Sequence, residues 1–274
     1  MELIKYSVSE ETHVARVTLN RPEKLNAMTP DMMDELERVL TRAQDDESAR
    51  VIILGAEGRA FCAGYDRKGY DRPDVEVRRQ PIHLNRLHMK GTIDFWLRNI
   101  WDSPKPIVAQ VHGYCYDAGV IMASLADVTF VADNAKISPY ATPGPLGAGY
   151  FAPEFTMLVG TKRAKEIFLV LGATIDGPEA VRIGWANRTF PQTELAARTE
   201  EFAGLIARMP SDLLSLNKNA INRTAEMTGF RQAMYTGADM DTFAHFAPSV
   251  ADYEATIREH GFNEAMRVWE AQFK

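Results

Sequence analysis

Two short loops in the sequence carry glycine and other small residues where a strand gives way to a helix. The first is AFCAGYD at residues 60–66, and the second is VHGYCYDAG at residues 111–119. Residues 118–126, AGVIMASLA, indicate a buried helix, so the Ala118 and Gly119 amides lie in its first turn, at the positive end of its dipole. These amides could stabilise an oxyanion, or the small residues could serve tight packing of the buried helix.

The elements that must position these loops indicate an α/β core with a largely parallel sheet. Residues 2–8 and 13–19 alternate at the strand period and predict a hairpin. Apolar runs at 51–54, 106–111 and 128–132 are each followed by a loop and then a helical pattern. Three such passages predict stacked ββα-type units.

One helix start and a C-terminal helical region are also indicated. Thr29, Pro30 and Asp31 combine a capping hydroxyl, a proline that needs no N–H donor and a carboxylate suited to the helix dipole. Helical patterns near 176–184, 192–208, 211–226, 229–246 and 261–272 dominate the rest of the chain. We therefore expect a core over residues 1–190 and, over residues 191–274, helices that pack on that core or on another subunit.

Composition narrows the functional classes. The 274 residues are 46% hydrophobic and 25% charged, as in a soluble globular enzyme, and the net charge of −6 gives no general attraction to nucleic acid. No apolar run reaches the roughly 20 residues of a membrane span, and the first residues lack a signal pattern, so cytoplasmic residence is expected. Cys62 and Cys115 are interpreted as buried small hydrophobes in a reducing compartment.

The sequence resembles the crotonase (enoyl-CoA hydratase/isomerase) superfamily. The resemblance is carried in order by LNRPEKLNAM at 19–28, GRAFCAGYD at 58–66 and KPIVAQVHGY at 105–114, and it continues through Ala126-Asp127 and GWAN at 184–187. It implies a spiral of ββα units with a C-terminal helical trimerisation region, hence a homotrimer or a dimer of trimers. It also implies an acyl-CoA thioester substrate and no cofactor beyond the coenzyme A moiety.

The resemblance assigns binding roles by position. The two oxyanion-binding amides would be those of Tyr65 and Ala118, since fixed N–H donors favour the charge that a thioester oxygen gathers. Coenzyme A would contact the backbone near Phe61 and basic side chains near its phosphates. The residues matched to coenzyme A are Lys24, Leu25, Phe61, Ala63 and Lys68, with Arg67 beside the last.

The sequence departs from the family at its acid–base residues. A hydratase of this family uses two glutamates, because one group must activate water and another must supply a proton. The first position is Ile121, and the second is Ala141, or Tyr140 if the loop is one residue shorter. Isomerisation, hydrolysis or another reaction is therefore expected in place of simple two-glutamate hydration, or else acyl-CoA binding with little turnover.

Three other residues are candidates for the missing chemistry. Asp117 either acts as a base or caps the following helix. Tyr140 either donates a proton or packs, and Glu154 either faces the cavity or stabilises a helix dipole. Asp66 is expected in an ion pair with Arg67 or a more distant arginine.

Two further segments bear on a mobile flap, a metal site and a dinucleotide-binding site. Residues 71–90 are interpreted as a mobile flap ahead of a helix that lines the acyl pocket, and the spacing of His83 and His88 argues against a metal site. Residues 147–152 match a dinucleotide fingerprint, but prolines rather than a strand precede them. An NAD-dependent oxidoreductase is therefore not expected.

Overall fold

The computed structural model describes residues 2–66, 81–140 and 149–272 of the chain. Predictions that fall on Arg67, Lys68 and Ala141, on the first part of the flap and on most of the glycine-rich loop before Gly149 lie outside these residues.

Nine strands of the described residues form two sheets. The larger has the order β1-β2-β3-β5-β7-β9, and the smaller has the order β4-β6-β8. The strand bounds are β1 Ile4–Ser9, β2 Val14–Leu19, β3 Val51–Ala56, β4 Ala60–Cys62, β5 Ile107–Val111, β6 Tyr114–Tyr116, β7 Val128–Ala132, β8 Lys136–Ser138 and β9 Arg188–Phe190. Only the β1–β2 pair of these sheets is antiparallel. From β3 onward, consecutive strands alternate between the two sheets, which produces the spiral of ββα units that the sequence predicted.

Helices cover the sheets and extend beyond them. Their bounds are α1 Pro30–Asp45, α2 Ile82–Trp96, α3 Ala118–Leu125, α4 Ala152–Val159, α5 Thr161–Phe168, α6 Gly177–Arg182, α7 Gln192–Ile206, α8 Ser211–Met227, α9 Phe230–His245, α10 Pro248–His260 and α11 Phe262–Ala271. The predicted start of α1 is confirmed, because the Thr29 hydroxyl accepts a hydrogen bond from the Met32 amide at 3.2 Å. No described helix is long and apolar enough to cross a membrane.

Both faces of the larger sheet are buried. Alternate residues such as Val17, Ile52 and Ala109 enter the main core, while Val14 and Ile53 on the opposite face pack with Ala203 of α7. Strands that are covered on both faces consist of continuous apolar runs. The positions of β3, β5 and β7 could therefore be predicted from the sequence. α3 is buried along its whole length between the sheets and α4, as predicted.

The structure corrects several predictions. Residues 82–90, assigned to a flap, belong to α2, where Asn85 and Met89 are buried. The sequence analysis missed α10. It also missed β9 and the strands of the smaller sheet, because each of these strands has three residues, too few for a periodic signal.

The helices after residue 190 are tied to the core. The Lys218 ammonium of α8 donates to Asp127 at 2.8 Å and to the Ile100 carbonyl at 3.2 Å. α9 packs on α2 and on the 3-10 turn Gly149–Phe151. This region therefore contributes to the walls of the core, in addition to any role in assembly.

Candidate active site

The first two motifs are held together by backbone contacts. The Met28 amide donates to the Gly64 carbonyl at 2.8 Å, and the Asp66 amide donates to the Met28 carbonyl at 2.8 Å. The buried Asn26 side chain donates to the Ala60 carbonyl at 2.8 Å. The loop that carries Tyr65 is thus fixed at both ends by the segment before α1.

Glycine lets the second and third motifs approach each other closely. Gly113 has a φ of 58°, and a Cβ added there would lie 2.0 Å from the Arg59 carbonyl oxygen. A Cβ at Gly119 would lie 2.8 Å from the Cys62 carbonyl oxygen. The glycines therefore serve tight packing, and that packing also brings the two candidate oxyanion loops together.

One amide in the first turn of α3 is left for a ligand. The Val120 and Ile121 amides donate to the Asp117 carbonyl, at 2.8 and 3.2 Å, and the Gly119 amide hydrogen-bonds the Cys62 sulfur. The Ala118 amide makes no hydrogen bond to any residue that the structure describes. It lies at the positive end of a buried helix, the position expected of an oxyanion donor.

The Asp117 carboxylate contacts the second candidate donor. Its Oδ2 accepts a hydrogen bond from the Tyr65 amide at 3.2 Å. Because Asp117 directly precedes Ala118, this contact places both candidate amides beside one carboxylate. The Tyr65 amide is accordingly engaged, and a thioester oxygen that uses it must first displace Asp117.

Asp117 adopts an unusual backbone conformation. Its φ of 48° and ψ of −110° lie in a region that glycine tolerates and other residues enter at a cost of order 1–3 kcal/mol. Although Asp117 occupies the N-cap position of α3, its side chain accepts no hydrogen bond from that helix, so the capping interpretation is wrong. The strained residue instead directs its carboxylate across to the Tyr65 loop.

The Tyr65 side chain links its loop to α2. Its hydroxyl accepts a hydrogen bond from Trp96 Nε1 at 2.9 Å, which ties the loop to the end of α2. Tyr65 is half-buried and packs against the main core. The end of α2 therefore lies beside the Tyr65 loop, and its lining of an acyl pocket stays a prediction.

Glu154 is a buried acid. It is 1% exposed, and neither carboxyl oxygen has a hydrogen-bond partner among the described residues. Burial raises the pKa of Glu154 well above its ordinary value, which favours the neutral acid. It lies in the first turn of α4, which packs on α3 and α9, and a neutral carboxyl supports the helix dipole less than a carboxylate does.

Tyr140 is engaged with the backbone. Its hydroxyl donates to the Phe168 carbonyl, and its amide donates to the Ser138 hydroxyl oxygen at 3.1 Å. Burial raises the pKa of Tyr140, which keeps its proton on the ring oxygen. These contacts favour the packing interpretation over proton donation.

The residues matched to coenzyme A lie around one surface turn. The Ala63 amide donates to the Leu25 carbonyl at 3.0 Å, next to the exposed Lys24. The Phe61 side chain is fully buried, so that residue can offer a ligand its backbone alone. Lys68 lies outside the described residues.

The remaining polar residues of the motifs have structural partners. Asp66 pairs with Arg21 at 2.7 Å, the distant-arginine alternative, and His112 Nε2 lies 2.9 Å from the Gly58 carbonyl oxygen. Burial raises the pKa of the Cys62 thiol to about 12, as expected of an inert core cysteine. Within residues 2–66, 81–140 and 149–272, no cluster of side chains suits a metal ion.

Sequence reasoning missed two buried polar residues on elements that pack together, the turn before α4 and α9. Tyr150, 5% exposed, follows the loop that had been weighed only as a dinucleotide fingerprint. Asp241 of α9 is 3% exposed and lies 3.4 Å from Nε2 of His245, one helical turn later. The four-residue spacing of Asp241 and His245 within a predicted helix was a signal that could have found this pair.

The alternating strands and the two converging loops define a crotonase-fold protein. The family model for enoyl-CoA hydratase/isomerase matches residues 9–268. A relative in Mycobacterium tuberculosis, named "Putative enoyl-CoA hydratase EchA13", is 30% identical over 251 residues, which cover 85% of this chain and 77% of the relative.

Solved structures agree with that assignment. An enoyl-CoA hydratase/isomerase from Xanthobacter autotrophicus superposes with a TM-score of 0.87 at 28% identity, covering 99% of this chain and 98% of its own. An enoyl-CoA hydratase from Mycobacterium smegmatis gives a TM-score of 0.85 at 30% identity, covering 97% and 92%. The chain belongs to the enoyl-CoA hydratase/isomerase family and is an acyl-CoA enzyme of that family.

Proposed function

We propose that this enzyme stabilises an enolate-like thioester oxygen with the Tyr65 and Ala118 amides and moves the proton with the Asp117 carboxylate. The observation that carries the proposal is the 3.2 Å contact between Asp117 Oδ2 and the Tyr65 amide, made by a residue with positive φ. Strained residues cluster at functional sites, where the strain is part of the mechanism. No such strain is needed for a carboxylate that only stabilises the fold.

A single carboxylate favours proton transfer over hydration. Hydration needs one group to activate water and another to supply a proton. Ile121 is buried and cannot move a proton, and Tyr140 donates to a backbone carbonyl. One base can still remove a proton from one carbon and return it to another, so we propose double-bond isomerisation or a related proton shift next to the thioester.

The two amides would supply the electrostatic part of the reaction. As the α-carbon loses its proton, negative charge builds on the thioester oxygen, and two fixed N–H donors stabilise it. Losing one donor of this kind typically costs about 2.7–4 kcal/mol of barrier stabilisation. Coenzyme A would lie along Lys24, Leu25, Phe61 and Ala63, with Lys68 near its phosphates.

We also propose a number of subunits and a cellular location for this protein. Exposed apolar side chains on α8 include Leu213, Leu216, Ile221 and Met227, which supports a homotrimer or a dimer of trimers in which these helices are covered. Native mass spectrometry would measure the number of subunits. Cell fractionation would test the expected cytoplasmic location.

The direct test combines binding with turnover. Isothermal titration measures binding of enoyl-, 3-oxo- and aryl-CoA esters, while mass spectrometry follows their conversion. The proposal expects an isomerised product from at least one enoyl-CoA that binds. Binding without any product across the panel would instead support an acyl-CoA-binding protein with little turnover, and hydrated product alone would contradict the single-carboxylate mechanism.

A further inference from the structure

The Cys62 sulfur lies between the two candidate oxyanion loops. The Gly64 amide donates to this sulfur at 3.4 Å, and Gly64 directly precedes Tyr65. The Gly119 amide also hydrogen-bonds the sulfur, and Gly119 directly follows Ala118. One sulfur atom therefore accepts hydrogen bonds from the chain neighbours of both candidate oxyanion donors.

Packing around Cys62 holds these contacts in place. Cys62 is fully buried at the end of β4. A Cβ added at Gly119 would lie only 3.0 Å from the Cys62 Cβ, so the first turn of α3 packs directly against this side chain. Burial raises the pKa of the Cys62 thiol, so the sulfur keeps its proton and acts as a neutral acceptor.

The sulfur contacts differ from the other link between the two loops in what happens when substrate binds. In the structure the Tyr65 amide donates to Asp117 Oδ2 at 3.2 Å, which also connects the loops. On the proposed function a thioester oxygen takes that amide, and this connection is exchanged for one to the substrate. The oxygen does not take the Gly64 and Gly119 amides, so the Cys62 sulfur connects the loops before and after binding.

We propose that Cys62 is a positioning residue whose sulfur sets the separation of the Tyr65 and Ala118 amides by accepting hydrogen bonds from the adjacent Gly64 and Gly119 amides. Donors that are already fixed stabilise developing charge without reorganising during the reaction. The sulfur only holds these donors, so no bond to it is made or broken. The inference rests on the proposed function, because both amides must bind one thioester oxygen.

Alanine and serine at position 62 separate the hydrogen-bond acceptor from the volume of the side chain. The two side chains are similar in size, but only serine offers an acceptor. Cys62→Ala should lower kcat about tenfold with KM nearly unchanged, less than the roughly 10²–10³-fold cost of losing a whole oxyanion donor. Cys62→Ser should keep kcat within about threefold of wild type. Equal losses in the two variants would assign the effect to volume and overturn the inference.

Cys115 is the matched control. It is fully buried and pairs with Cys62 in the register of β4 and β6, but its sulfur has no hydrogen bond to any residue that the structure describes. Cys115→Ala and Cys115→Ser should both keep kcat within about twofold of wild type, while thermal unfolding measures their loss of stability. A loss of kcat at position 115 as large as that of Cys62→Ala would show that turnover follows core packing, which would contradict the inference.

The carbonyl band of a bound thioester measures the action of the two donors directly. Butyryl-CoA labelled with 13C at its thioester carbonyl gives an infrared band that moves to lower wavenumber when N–H donors polarise the carbonyl. Wild type and Cys62→Ser should shift this band, and Cys62→Ala should lose about half of the shift. S-butyl-CoA, a thioether that lacks the oxygen, should bind all three proteins with equal affinity in isothermal titration.

The outcomes distinguish the inference from the proposed function. A full band shift with Cys62→Ala, or weaker binding of S-butyl-CoA by that variant, would overturn the role of the sulfur and leave the proposed function standing. If wild type bound butyryl-CoA without any band shift, the proposed function would fail and the inference with it. Where Cys62→Ala does not fold, Cys62→Val fills the volume of the sulfur without an acceptor and should show the same loss of shift.

Discussion

The two ends of α3 each carry a carboxylate, and the two are held in different ways. After the helix, Asp127 Oδ2 accepts hydrogen bonds from Lys218 Nζ at 2.8 Å and from the Ile107 amide at 2.7 Å. Before the helix, Asp117 reaches a backbone amide of the neighbouring loop from a conformation with positive φ. The neutral oxygen of a substrate can replace a carboxylate as the acceptor of an amide hydrogen bond. It cannot replace a carboxylate that neutralises a buried ammonium.

This difference separates a structural acid from a chemical one. Burial raises the pKa of Asp127 and lowers that of Lys218, and each partner offsets the other's shift. Breaking such a pair leaves a buried charge alone. Loss of the Asp127 pair is therefore expected to lower stability, and loss of the Asp117 carboxylate is expected to lower turnover.

The largest effect is expected from Asp117→Asn. Asparagine can still accept the Tyr65 hydrogen bond, but it cannot take up a proton, so turnover should fall about 10²–10⁴-fold. Steady-state kinetics with the enoyl-CoA that turns over best would measure the loss. Asp31→Asn, at the exposed start of α1, is the control and should keep wild-type turnover. Retention of more than a tenth of the activity by Asp117→Asn would assign the proton transfer elsewhere.

Lys218→Met tests the opposite end of the helix. The variant leaves the partly exposed Asp127 carboxylate without the buried Lys218 cation and should lower the free energy of unfolding by about 1–3 kcal/mol in urea titrations. The double variant Lys218→Met/Asp127→Asn should recover part of that loss, because it no longer contains an unpaired charge. If Lys218→Met alone were neutral, the pair would not anchor α8 to the core.

Glu154→Gln tests the buried acid that has no described partner. The unfolded chain ionises Glu154 above about pH 4.3, while burial raises the pKa of Glu154 in the folded protein, so folding is increasingly disfavoured as pH rises between the two pKa values. The stability of the variant relative to wild type should therefore rise with pH above about 4.3, by up to about 1.4 kcal/mol per pH unit, until the pKa of the folded state is passed. Glu179→Gln is the control, since Arg182 lowers the pKa of Glu179 and the effect of this variant should therefore change only below the ordinary pKa of a glutamate. A pH-independent difference for Glu154→Gln would mean that the carboxyl is ionised in the folded protein.

The smallest effect on stability is expected from Asp117→Gly. Glycine adopts positive φ without a Cβ penalty, so this variant should be more stable than wild type by about 1 kcal/mol, or about 2–4 °C in Tm. Its turnover should be lost at the same time. A lower Tm would show that the Asp117 side chain stabilises the fold, and the distinction between the two ends of α3 would then be wrong.

The sequence predicted the parts of the molecule that depend on local patterns. Apolar runs located β3, β5 and β7, and Thr29 and Pro30 located the start of α1. The short strands β4, β6 and β8 depend on pairing between distant segments, and three residues are too few for a periodic signal.

The candidate site was predictable only in part. The family motifs pointed to the Tyr65 and Ala118 amides, but no pattern showed that Asp117 would contact the Tyr65 amide instead of capping α3. That contact depends on a backbone conformation that residue type alone does not reveal. Tyr150 and Asp241 are 91 residues apart in sequence and meet only because α9 packs on the turn before α4.

Exchange of the proton next to the thioester tests the central claim most directly. Saturated butyryl-CoA in D₂O can gain deuterium at its α-carbon whenever the enzyme forms the enolate, whether or not a product follows. Mass spectrometry should detect this exchange with wild-type protein and find it reduced at least 100-fold with Asp117→Asn. Exchange at the wild-type rate by Asp117→Asn would contradict the account.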